Sequence, residues 1–138
     1  LLCWIPLTLR GGCAATGVIG WLFGTEQKSS SIADGIGISP VASVLAAVCG
    51  AVVIPLIEEV AFRRILFDWL QGKMPTATAA SATVAIFAVM HGIPMVVVYL
   101  FFAGTSLVVA RLWFRSLTAP FLIHCVNNAV VFLVALNG

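Results

Sequence analysis

Apolar residues run through this chain in long blocks, and the few polar positions mark where the blocks begin and end. Residues 1–23 are apolar, interrupted by Arg10, Gly11, Gly12, Gly17 and Gly20, and allow an N-terminal span with ill-defined limits. Residues 24–39 carry Glu26, Lys28, three serines, Asp34, Gly35 and Gly37 and read as a loop. From Gly35 to Ile57 there is no charge over 23 residues, and Pro40 suits the first turn of a helix there. Its small residues, among them Ala42, Ser43, Ala46, Ala47 and Gly50, permit close helix packing. Pro55 removes one backbone donor and should loosen that helix, which continues to Leu70 before Gly72 and Pro75 end it. Residues 74–110 then contain no Asp, Glu, Lys or Arg, and 37 residues are too many for one membrane span, for which about 20 suffice. Gly92-Ile93-Pro94 is the natural break, giving helices over 76–91 and 95–111, a basic turn from Arg111 to Arg115, and a last helix over 117–136.

Composition turns this pattern into a class. Of 138 residues 62% are hydrophobic and only 12 carry a charge, so the expectation is an all-α, polytopic transmembrane bundle. It has four core helices over 40–138, preceded by a possible N-terminal span and loop over 1–39. A net charge of +2 gives no reason to expect a nucleic-acid partner. Cys3, Cys13, Cys49 and Cys125 are scattered, without the spacing of a zinc finger or disulfide framework. The start lacks Met, a basic region and a cleavage site, which fits a piece of a longer protein rather than a signal peptide. Arg63, Arg64, Lys73, Arg111 and Arg115 gather towards one face, with Lys28 balanced by Glu26 and Asp34 opposite; the basic face is expected to be cytoplasmic or stromal.

Against this background Ile57-Glu58-Glu59-Val60-Ala61-Phe62-Arg63-Arg64 stands out, because ionisable groups at membrane depth persist mainly as partners or as function. Glu59 and Arg63 are four apart and share a helix face, whereas Glu58 points roughly 140° away from Arg63 at 100° per residue. Glu59 is therefore the paired carboxylate and Glu58 the one free to face a cavity. A helix end that has reached water, with both acids solvated, would produce the same local sequence. Depth bears on the choice. Measured from the basic face at 1.5 Å per residue, Glu58 lies roughly 18 Å in, His91 roughly 22 Å, His124 roughly 10 Å and Asn128 roughly 16 Å. Phe87 and His91 share one face, His124 and Asn128 another. Individually, His91 could be a polar helix end, His124 an interhelical hydrogen bond, and Asn127 and Asn128 packing glue. Their coincidence in one layer, on three helices, favours a single site.

Glu58-Glu59-x-x-x-Arg63, Phe87-x-x-x-His91 and His124-x-x-x-Asn128, in that order on hydrophobic helices, resemble the three motifs of the intramembrane proteases that include the prenyl-protein (CAAX) endopeptidase and the bacteriocin-immunity (Abi) proteins. The resemblance covers about residues 40–138. It implies an endopeptidase cutting a membrane-embedded or lipid-modified protein substrate in or near the bilayer. Glu58 would act as general base with His91 on a water, His124 and Asn128 would bind the oxyanion, and Glu59 and Arg63 would order the motif, with Phe87 beside it. Two histidines and a glutamate also suffice for zinc held by Glu58, His91 and His124. Asn128 is a poor zinc ligand and a good oxyanion donor, which favours a site without a cofactor. A non-catalytic scaffold of the same family and a proton-relaying transporter are the other readings. The single clustered site and the lack of internal repeats speak against the transporter.

Overall fold

The computed structural model describes residues 39–137, together with Arg10 as an isolated helical position; the span read over 1–23 and the loop read over 24–39 otherwise lie outside the described residues, Ser39 apart. Four helices make up the fold: α1 over 40–71, α2 Thr76–Val89, α3 Pro94–Phe114 and α4 Thr118–Asn137. Among the described residues there is no strand. The all-α bundle expected from the sequence is therefore the architecture found.

α1 opens as read. Ser39 caps it by accepting from the Ala42 amide at 3.1 Å, and Pro40 occupies the first turn. The loosening expected around Pro55 takes the form of a wider helical register over Cys49–Val53, where the Ile54 amide reaches back five residues to the Cys49 carbonyl. A second wide stretch, Glu59–Leu66, carries the charged motif. Such insertions recur at functional sites because they re-aim side chains without ending the helix.

Helix ends fall within a few residues of the sequence reading. α2 stops at Val89, so His91 sits in the following turn, where Gly92 adopts φ 71°, a left-handed conformation that suits glycine. α3 begins at Pro94 and runs past Arg111 to Phe114, ending on Arg115 with φ 49°. Arg111 ends the uncharged run but not the helix, since a cation near a helix C-terminus favours the last carbonyls. α4 starts at Thr118 rather than 117.

Phe67, Leu70, Ala79, Val84 and Val108 form a core where α1, α2 and α3 meet, while Leu107, Ala110 and Ile123 join α3 to α4. The outward side of α1 exposes Val41, Val44, Leu45, Val48 and Ile57. Val41–Gln71 and Val96–Phe114 are long and apolar enough to cross a membrane, and Thr76–Val89 and Thr118–Val134 are shorter apolar helices. In lipid such helices associate through close packing and polar contacts rather than water exclusion. One charge was misplaced by the sequence reading: Arg63, counted with the basic face, is fully buried.

Candidate active site

Where the regular turn Ile54–Glu58 passes into the second wide stretch of α1, Glu58 and Glu59 both meet the same ring of α4. Glu59 is fully buried, and its Oε1 accepts from Nδ1 of His124 at 2.8 Å and lies 3.2 Å from Arg63 Nη1. The Arg63 contact is an ion pair without hydrogen-bond alignment. The guanidinium instead sits 4.5 Å from the centre of the Phe87 ring, a cation–π arrangement that offsets part of the cost of burying it. Glu58, one residue earlier, lies at the opposite edge of the imidazole, with Oε2 3.4 Å from His124 Nε2. The two acids thus take opposite nitrogens of one imidazole, Glu59 at Nδ1 and Glu58 at Nε2.

Glu58 also faces His91, from which its Oε1 is 3.6 Å away at Nε2. The other nitrogen of His91, Nδ1, donates to the carbonyl of Phe87 at 2.9 Å. A carbonyl can only accept, so in the neutral ring the proton is on Nδ1 and Nε2 turns a lone pair towards Glu58. An ionised Glu58 and a neutral His91 thus present two acceptors to one small space. A water molecule seated beside the pair could give one hydrogen to each. The glutamate side chain is 20% exposed and that of His91 32%, against 0% for Glu59, so this space is reachable.

Phe87 forms the wall. Its ring meets Phe62, His91 and His124 edge-on at centroid distances of 5.0, 5.2 and 6.0 Å. α3 crosses against it at Gly104, where a Cβ would come within 3.1 Å of Phe87 Cδ1.

Asn128 lies one turn beyond His124 on α4, and its Nδ2 donates to the Gly50 carbonyl at 3.1 Å. That carbonyl is free for a reason written in the sequence. The Ile54 amide is taken by Cys49, and the next residue, Pro55, has no amide hydrogen. Asn128 closes the gap with one of its two amide hydrogens and keeps the other.

Sequence reasoning missed Tyr99, whose hydroxyl donates to Asn127 Oδ1 at 2.7 Å and so joins α3 to α4 beside the site. The signal was available: it is the only tyrosine in the chain and stands within the 37-residue uncharged run. Among the described residues no three His, Cys, Asp or Glu side chains are arranged to hold a metal ion.

Glu58, His91 and His124 thus come together in an apolar helical bundle, with Glu59, Arg63 and Phe87 packed behind them, while Asn128 stands one turn along α4 on the Gly50 carbonyl. The class is a helical membrane protein with a site built inside it. Residues 40–130 match the family model described as type II CAAX prenyl endopeptidase, Rce1-like. The match covers about two thirds of the chain, including every site residue, and the chain belongs to this family of CAAX endopeptidases. No curated protein and no solved structure matches it.

Proposed function

We propose that the chain is a multi-pass intramembrane endopeptidase in which Glu58 activates a water for attack on a peptide bond of a prenylated or otherwise membrane-bound protein substrate. The observation that carries this reading is the pair of facing acceptors, Glu58 Oε1 and His91 Nε2 at 3.6 Å. A water donating to both has its oxygen lone pairs directed outward, at a substrate carbonyl. As the new C–O bond forms, Glu58 takes the proton and can return it to the leaving amine, the work of a general base that becomes a general acid. Two acceptors form no direct hydrogen bond with each other, so both stay open to one bridging donor.

The oxyanion falls to α4. The free amide hydrogen of Asn128 is one donor. His124 is the other: with Nδ1–H committed to Glu59, its Nε2 donates when the ring carries its second proton. Donors fixed in advance in a site poor in water stabilise developing charge strongly. Glu59 and Arg63 touch no substrate in this scheme and hold His124 and Phe87 in position.

The exposed cations Arg64, Lys73 and Arg115 gather at one end of the bundle with Arg111, and that end is taken as cytoplasmic or stromal. The direct test is cleavage of a prenylated peptide by the purified protein, beside Glu58→Ala. Cleavage lost in the variant supports the assignment. Cleavage unchanged removes Glu58 from catalysis, and no cleavage by either favours the scaffold reading.

A further inference from the structure

The far end of the bundle carries a second, separate concavity. A cavity of about 320 Å³ lies there, lined by Phe67, Gln71, Thr76, Arg111, Leu112 and Arg115. We propose that it is a binding site for the phosphate of an anionic phospholipid headgroup.

Charge is the first ground. Among the described residues this end holds Arg64, Lys73, Arg111 and Arg115 against one carboxylate, Asp68. Asp68 is spent on Arg64 Nη1 at 2.9 Å and Arg111 Nη2 at 3.3 Å. Arg111 keeps its other donors, and its Nε is buried without a partner. Arg115 enters no ion pair among the described residues. Two guanidinium groups on one wall suit a phosphate, whose oxygens accept from their paired N–H groups. The Thr76 hydroxyl, which accepts from Gln71 Nε2 at 3.2 Å, still has its own hydrogen to give.

Level is the second ground. Trp69 and Trp113 are 58% and 74% exposed, and Lys73 Nζ lies 4.8 Å from the centre of the Trp69 ring. Exposed tryptophans with adjacent cations mark the headgroup region of a bilayer. Basic pockets between helices at this level bind anionic headgroups. Leu112 at the wall, followed by exposed Trp113 and Phe114, gives the glycerol and acyl portions an apolar surface that an inorganic phosphate would not use.

The carboxylate of a substrate fits less well. Thirteen helical residues separate Glu58 from Gln71, about 20 Å at 1.5 Å per residue. The three residues that follow the cysteine of a C-a-a-X end span at most about 10 Å.

The test is native mass spectrometry of the full chain released from nanodiscs holding equal phosphatidylglycerol and phosphatidylcholine. One retained phosphatidylglycerol is expected, favoured by about tenfold, the scale of one charge-assisted hydrogen bond. Arg115→Gln, on an exposed side chain, should abolish the preference, and Arg115→Lys should restore only part of it because the paired donors are gone. Lys73→Gln, off the cavity wall, should leave it intact; an equal loss there would mean a diffuse field and overturn the site. A preference undiminished in Arg115→Gln would overturn it too. Retention of inorganic phosphate from lipid-free detergent to the same occupancy would overturn the lipid as occupant. Displacement of the lipid by a free C-a-a-X tripeptide would assign the cavity to substrate instead.

Discussion

Glu59 and His124 meet at 2.8 Å across 65 positions of sequence, and both are buried. This contact fixes α4 against α1 and fixes which nitrogen of His124 faces Glu58. A carboxylate accepting from Nδ1 holds both the rotation and the tautomer of the ring, as carboxylates do behind metal-bound or catalytic imidazoles. In the proposed scheme the neighbouring acids divide the work: Glu59 sets the ring and Glu58 faces the reaction space.

The division predicts opposite phenotypes for two one-atom changes. Glu58→Gln removes the base and should lower turnover by about 100- to 10,000-fold, the range of a general base, with folding preserved. Glu59→Gln leaves Arg63 buried without its counter-charge, which should cost about 3–5 kcal/mol of stability. Thermal unfolding and turnover measured on both variants check this. A fully active Glu58→Gln protein would sink the assignment.

Gly104 reports on the wall. An alanine there would press on Phe87 Cδ1 at 3.1 Å, and the rings of His91 and His124 lean on the other faces of Phe87. Gly104→Ala should depress turnover more than stability. Gly104→Leu should destabilise by about 1–3 kcal/mol, the usual cost of overpacking. If Gly104→Ala turned over substrate at the wild-type rate, the ring would be free to yield, and Phe87 would not position the histidines.

Much of this was legible in the sequence, and the limits are physical. Four helices follow from apolar runs broken at Gly72–Pro75, at Gly92–Pro94 and at the basic turn Arg111–Arg115. Glu59–Arg63 follows from helical spacing alone. Glu59–His124 does not, because it depends on how two helices distant in sequence are rotated against each other. Arg63 looked like part of the basic face because a charge carries no mark of its depth; only the ion pair and the ring beneath it take it inside. The Gly50 carbonyl is a middle case. Pro55 announces a missing donor, but which carbonyl is orphaned depends on the five-residue reach of Ile54.

Metal dependence gives a third prediction. In the water-based scheme the lone pairs of Glu58 and His91 are bridged by hydrogens, so cleavage should survive exhaustive dialysis against a strong chelator. The same lone pairs are what zinc would take, and a zinc enzyme would lose activity and regain it with added Zn²⁺. Elemental analysis giving about one zinc per active chain would recast Glu58, His91 and His124 as ligands.

Adjacent asparagines on α4 give the last. Asn128 donates to the Gly50 carbonyl, and the proposed scheme gives its second hydrogen to an oxyanion; Asn127, buried on the next face, accepts from Tyr99. From helical phase alone, Asn127 should tolerate alanine, but its bond to Tyr99 changes the expectation from tolerance to a purely structural cost. Asn127→Ala and Tyr99→Phe should each lose about 0.6 kcal/mol, up to 1.7, the range for polar contacts between membrane helices, with turnover nearly intact. Asn128→Ala should lower kcat by about 100- to 1,000-fold, the cost of one oxyanion donor, with KM little changed because that bond strengthens only in the transition state. It should also lose stability comparable to Asn127→Ala, since the Gly50 carbonyl is orphaned again. Unfolding temperature and kcat measured on all three variants separate the two asparagines. A kcat loss in Asn127→Ala equal to that in Asn128→Ala would mean that α4 acts through its rotation alone, and Asn128 would leave the catalytic set.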